Sequence, residues 1–356
     1  MDTDRRARHL NPTDAMPAAL FRKFLGGGAT SLRDPRTEAG PAPRIACLFR
    51  AAACGLAVFT MSIAASTHAA ETWEKTIWNG EPAWAATHAG VRAVVTEARS
   101  RLIYFGAADG SLNLFNAPAV AGPPDASGSP PNWGGHRFWL GPQSRWVWPP
   151  PADWEHSAAT KVEARGGVLV VHHPHLASSY PSLTREYAWE GARLRCTVRW
   201  ADDGHPAFGM HVVAVDTPFA ITVALAKTDQ IPDGFVAARF VDPAPSHVLP
   251  HSAITLAGDH ATVRAGIKSV KLGFVPQALT IDRSEGWKLT MHPGPAGGVA
   301  REAPDQGYLS QIWVGGPKDD LAELEQLTPF LAGDATGTCS STIFLEATPP
   351  VASVSR

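Results

Sequence analysis

Only four cysteines occur among 356 residues, and four tyrosines. No apolar run reaches the roughly 20 residues that cross a bilayer as a helix. No amphipathic helix of useful length appears. The G-x-S-x-G, H-E-x-x-H, dinucleotide and P-loop signatures are all missing, so nothing points to those hydrolases, zinc proteases or nucleotide-binding folds. His172-His173-Pro174-His175 lacks an accompanying Cys or carboxylate set, which speaks against a metal site, and no cofactor is expected. Cys47 and Cys54 lie early in the chain, leaving Cys196 and Cys339 as either a disulfide pair or two buried thiols.

The first 70 residues read as apart from the rest. Residues 51–65 form a short apolar run behind Arg44 and Arg50, and small residues follow as far as Ala70. That is the layout of a secretory signal peptide, with cleavage expected after Ala69 or Ala70. Residues 1–43 are polar, rich in Pro, Gly and Arg, and too poor in apolar residues to offset their ordering entropy. They are read either as a disordered tail on an uncleaved anchor or as the product of a start codon set too early. The expected organisation is residues 1–43 as that segment, 44–70 as the signal peptide and 71–356 as one domain. The expected location is periplasmic or secreted, with membrane contact only through the signal segment if it stays uncleaved.

Without the first 70 residues the chain holds 22 basic and 28 acidic residues, net −6. No basic stripe remains, so no nucleic-acid partner is expected. All twelve tryptophans fall in this part, five of them within 133–154. Indole rings serve equally as strand and core material or as platforms for sugar rings.

Short β-branched and aromatic runs dominate: 91–96, 102–105, 167–171, 183–189, 194–200, 210–215, 221–226, 235–240, 262–265, 269–275, 287–291, 308–314 and 342–346. Turn residues such as Asp109-Gly110, Glu190-Gly191 and Glu285-Gly286 bound many of them. Thirteen such strands predict an all-β sandwich or barrel larger than an immunoglobulin domain. Residues 321–327 suit a strand or a short helix. Residues 117–150 are rich in Pro, Gly and Ser, and a long loop of this kind within a domain is often functional.

Three constellations carry possible chemistry. Asn132-Trp-Gly-Gly-His136-Arg137-Phe-Trp139 places donors and aromatics after a glycine corner, and His136, Arg137 and Trp139 are expected to line a concave sheet face with the 141–154 loop. His211 stands in the apolar run 210–216, as a core histidine or a proton donor facing a cleft. Glu323 and Glu325 share one face if 321–327 is a strand, where like charges disfavour each other and can raise a pKa.

Residues 132–142 resemble the G-G-H-R-L-W-x-x-P-E signature of a bacterial family of exported proteins, the DUF4380 family, itself similar to the galactose-mutarotase-like superfamily. Leu321-Ala-Glu323-Leu-Glu325, followed by Pro329 and Gly333, is similar to its late E-L-E…P…L-x-x-G stretch. The resemblance covers most of 85–347, with Gln143 standing where the signature has Glu. It implies a galactose-mutarotase-like β-supersandwich and a carbohydrate ligand, with Asn132, His136, Arg137 and Trp139 in binding. In the superfamily's mutarotases a His protonates the ring oxygen and a Glu deprotonates the anomeric hydroxyl. By resemblance His211 falls at the acid position, and Glu323 or Glu325 at the base. The readings are therefore an exported carbohydrate-binding protein, a sugar mutarotase of the aldose-1-epimerase type, or an envelope protein with structural or partner-binding duties.

Overall fold

A computed structural model describes residues 72–117, 134–146, 150–175, 180–216, 219–227, 229, 231–238, 254–264, 270–315 and 321–350. The expected tail, the signal peptide and Asn132 lie outside these residues.

The chain opens with an antiparallel meander of β1 (Glu74–Trp78), β2 (Glu81–His88), β3 (Val91–Thr96) and β4 (Arg101–Ala107). β1 and β2 turn on Asn79-Gly80, both at positive φ, as a two-residue hairpin on Asn-Gly demands. β5 (His136–Gly141) and the four-residue helix α1 (Ala152–Glu155) follow. Next come β6 (Lys161–Arg165), β7 (Val168–His172), β8 (Leu183–Glu190), β9 (Arg193–Ala201), β10 (Phe208–Asp216), β11 (Phe219–Ala224) and β12 (Val236–Ala238). β13 (Ile254–Ala257), β14 (His260–Val263), β15 (Val270–Phe274), β16 (Leu279–Arg283), β17 (Lys288–Gly297) and β18 (Val299–Ala300) continue the chain. It ends in β19 (Ser310–Val314), β20 (Leu321–Leu327), β21 (Leu331–Ala332) and β22 (Thr338–Thr348).

Two large sheets carry the fold. One has six strands in the order β12-β15-β19-β20-β10-β5; the other has ten, β13-β14-β11-β16-β17-β22-β9-β8-β7-β6. All pairings within them are antiparallel. The period-two pattern explains the layering. In β9, Leu194, Cys196, Val198 and Trp200 are buried while Arg193, Arg199 and Ala201 face out. One core joins the meander and both large sheets: Trp84 and Val95 from the first, Val213, Ile312 and Leu324 from the six-stranded sheet, and Ile221, Leu289, Ile343 and Leu345 from the ten-stranded one. Each fully buried Leu or Ile there contributes about 1.5–3 kcal/mol. A second cluster brings Trp139, Trp146 and Trp154 together with Phe138, Leu140 and Trp200 around β5.

The all-β class holds, and residues 321–327 form a strand. Cys196 and Cys339 are free, buried thiols. Cys196 pairs in register with Ile343 and Cys339 with Trp200, so the two lie four rungs apart on the β9–β22 ladder. At about 3.4 Å per rung that is far beyond disulfide reach. Burial pushes the Cys339 thiol up to about 11 and raises Cys196 further still.

Candidate functional site

The six-stranded sheet has two faces of opposite character, and register assigns every candidate to one of them. Across β5, β10 and β20, His211 stands opposite Phe138 and Gln326, and Val213 opposite His136 and Leu324. These residues share the face that packs into the core. Val212 stands opposite Arg137 and Glu325, Ala214 opposite Glu323, and Met210 opposite Trp139. These project from the other, outer face. β19 and β15 extend the outer face with Trp313 beside Glu323, Gln311 beside Glu325 and Lys271 beside Trp313.

The inner face holds a chain of hydrogen bonds sealed from solvent. His136 Nε2 and His211 Nδ1 share one at 2.9 Å, and His211 Nε2 shares another with Ser341 Oγ at 2.9 Å. Arg185 Nε donates to His173 Nε2 at 2.8 Å, and its Nη1 donates to the His136 carbonyl at 2.9 Å. His136, His211 and Arg185 are fully buried and His173 nearly so. Burial, reinforced by the nearby Arg185 charge, lowers the pKa of all three histidines, to about 3 for His211. All three rings are enclosed in the core, and their ring nitrogens bond to other core groups.

The outer face is ionic. Arg137 Nη2 lies 3.0 Å from Glu323 Oε1, and Arg137 Nε lies 3.4 Å from Glu155 Oε1. Arg101 Nη2 pairs with Glu155 Oε2 at 2.6 Å, and Trp139 Nε1 donates to Glu155 Oε1 at 2.5 Å. The Arg137 guanidinium sits 4.4 Å from the centre of the Trp139 ring, a cation–π contact. Lys271 Nζ pairs with Glu325 Oε2 at 2.8 Å. The two pairs cross on the diagonal: Arg137 is level with Glu325 but reaches Glu323, and Lys271 is level with Glu323 but reaches Glu325.

Burial raises the Glu155 pKa, but the Arg101 and Arg137 charges, with the Trp139 and Arg101 hydrogen bonds, outweigh it and hold the group at about 2. For Glu323 the balance runs the other way. Burial is the largest effect and the Glu325 charge adds to it; Arg137 only partly opposes them, and the pKa is raised. Of the two carboxylates, Glu323 keeps 12% side-chain exposure against 3% for Glu325. Beside it Trp313 is partly exposed. Glu323 is thus the acidic group that a ligand on this face can reach.

The expected constellation divides accordingly. Arg137, Trp139, Glu323 and Glu325 share the outer face; from the expected 141–154 loop Trp146 packs on Trp139, and Glu155, just past that loop, accepts from its indole. His136 points the opposite way, into the core. The pairing of His211 with Glu323 or Glu325 across one sugar ring is not the arrangement found, because an odd offset along β10 sets His211 and the carboxylates on opposite sides of the sheet. Sequence reading passed over Arg101, Glu155, Lys271 and Trp313. The usable signal was a lone charge in an apolar strand, as in Val270-Lys271-Leu272.

No family model matches the chain, and no curated protein matches it. Among solved structures, a candidate mutarotase from Salmonella typhimurium superposes with a TM-score of 0.50 at 10% identity, covering 78% of this chain and 94% of its own. A galactose mutarotase-like protein from Lactobacillus casei gives a TM-score of 0.45 at 10% identity over 75% and 100% of the two chains. A candidate aldose 1-epimerase from Escherichia coli K12 gives 0.44 at 14% over 77% and 99%. The fold is the galactose-mutarotase-like β-sandwich.

Proposed function

We propose that the protein is exported and binds a carbohydrate on the outer face of the six-stranded sheet, at Glu323, Arg137 and Trp313. The observation that carries the reading is Glu323 itself: a partly exposed carboxylate, held by a guanidinium and flanked by an indole on one strand face. A carboxylate and a guanidinium supply the acceptor and the donors that sugar hydroxyls use, and the indole supplies an apolar platform. The similarity of residues 132–142 to the DUF4380 signature supports the same reading.

Titrating tryptophan fluorescence with a panel of monosaccharides tests it. Glu323→Gln removes a charge-assisted hydrogen bond worth about 1.5–3 kcal/mol, so affinity drops ten- to a hundredfold. Trp313→Ala weakens binding by a similar factor. A panel that leaves the fluorescence unchanged overturns the reading.

One observation favours a catalytic version, sugar anomer exchange with Glu323 as base: its raised pKa brings the carboxylate closer to the range in which a general base works at neutral pH. Saturation-transfer NMR measures this directly. Exchange above the uncatalysed rate that falls about 10²–10⁴-fold in Glu323→Gln supports catalysis; exchange at the uncatalysed rate with every sugar that binds leaves binding alone.

A further inference from the structure

We propose that the outer edge of β1 docks a second copy of this chain, joining two four-stranded meanders into one continuous sheet. β1 is the end strand of its sheet. In its hairpin with β2, Trp78 and Glu81 flank the two-residue turn as a hydrogen-bonded pair, so Trp78, Thr76 and Glu74 turn their backbone groups toward β2. The amides and carbonyls of Lys75 and Ile77 therefore point away from the sheet, and no described residue meets them. Ile77 is also one of the few large apolar side chains left exposed, at 66%.

Other edges are guarded. On β4, Ala107 N donates to the Leu112 carbonyl and Leu114 N to the Phe105 carbonyl, both at 3.0 Å, while the Asn113 side chain takes up Phe105 N and the Ile103 carbonyl. β6 lines its edge of the ten-stranded sheet with Lys161 and Arg165, both paired to Glu163. Covered backbone and clustered charge are the usual defences against pairing with another chain. β1 lacks the first, and its cation, Lys75, is folded back to 5.3 Å from the centre of the Trp84 ring.

Symmetry selects both the occupant and the register. An edge that pairs antiparallel with its own copy does so about a two-fold axis. With the axis at Thr76, Lys75 lies opposite Ile77 of the other copy, and every outward amide and carbonyl of both residues gains a partner. Glu74 then faces Trp78, Thr76 faces Thr76, and no like charges stand directly opposite. An axis at Lys75 would set two lysines against each other. An axis at Ile77 would bring in Asn79, whose φ of 48° is outside the extended range. An axis between residues would match outward groups to inward ones. The strand is thus complementary to itself in one register.

Sedimentation velocity on the full chain, from about micromolar to millimolar concentration, is expected to show a monomer–dimer equilibrium; a monomer throughout overturns the proposal. Ile77→Lys sets like charges opposite each other at a solvent-facing position, so it is expected to weaken the dimer roughly tenfold or more at an unchanged melting temperature. A dimer of undiminished affinity in this variant overturns the proposal as well. Cross-linking reads the register. Thr76 would meet its own copy at a non-hydrogen-bonded position, where Cα atoms stand about 4.5 Å apart, within disulfide reach. In a chain carrying Cys47→Ser and Cys54→Ser, Thr76→Cys is expected to form an intermolecular disulfide with oxidised glutathione as the oxidant, and Lys75→Cys is not. The reverse pattern, or no link in either, overturns the proposal.

Discussion

His136, His173 and His211 enter the folded protein as neutral rings, and this gives stability a definite pH dependence. Above the ordinary histidine value of 6.5 both folded and unfolded chains are neutral at these positions, and the full stability is present. Below 6.5 the unfolded chain takes up protons that the buried rings cannot, so each ring costs about 1.4 kcal/mol per pH unit until its folded pKa is reached. For His211 the window runs from 6.5 down to about 3. Glu155 acts in the same direction at lower pH: its stabilisation is present above its ordinary 4.5 and is lost as pH falls toward about 2. Glu323, raised instead, favours the folded state below its ordinary value and loses that contribution as pH rises through the folded one. The urea midpoint is therefore expected to fall steeply between pH 7 and pH 5, and His211→Gln to shallow that slope by about one proton. A midpoint that is flat over this range contradicts neutral histidines. The sequence made Arg137, His211, Glu323 and Glu325 visible as individual residues. It could not pair them: alternation shows that His211 and Val213 share a face, but the match of β10 to β20 joins residues about 110 positions apart, which no local pattern encodes.

Among the elements, the glycine corner before β5 was legible because its chemistry is local. Gly134 and Gly135 both sit at positive φ, and a Cβ on Gly135 would overlap the Leu102 carbonyl oxygen. Gly135 N donates to the Asn116 carbonyl at 2.7 Å, and Arg101 Nη1 donates to the Gly134 carbonyl at 3.4 Å, so the corner is pinned to the β4 side of the molecule. Gly135→Ala combines backbone strain with a clash against backbone and is expected to cost more than about 3 kcal/mol, read as a lower midpoint in chemical denaturation; a cost below about 1 kcal/mol would mean that the corner has room to relax. The central strands were equally readable, since β8, β9, β10 and β22 bury apolar residues at high density. β1, β2 and β6 escaped notice because their residues are polar or half-exposed, as in Lys161–Arg165 at the edge of the ten-stranded sheet. β20 was ambiguous for another reason. Leu-Ala-Glu-Leu-Glu-Gln-Leu has strong intrinsic helix preference, and its place between β10 and β19 overrides it.

At the scale of the whole molecule, one core spans β2 to β22 among the described residues. A chain beginning at Glu71 is expected to melt at the same temperature as the full one, by circular dichroism, and N-terminal sequencing of protein from the cell envelope is expected to begin near Glu71. A full-length chain in the envelope with residues 1–50 intact removes the signal-peptide reading. The superfold was legible because strand density and turn spacing accumulate over the length of the chain, whereas the site depends on a few long-range pairings. The strict two-sidedness of β5, β10 and β20 also sets how this molecule can diversify. Substitutions at Glu323, Lys271 or Trp313 change the outer face while leaving Val213, Ile312 and Leu324 on the inner one in place. The gain or loss of a single residue within β20 would turn Leu324 toward the outer face and Glu323 and Glu325 into the interior, so in these three strands length can change only two residues at a time.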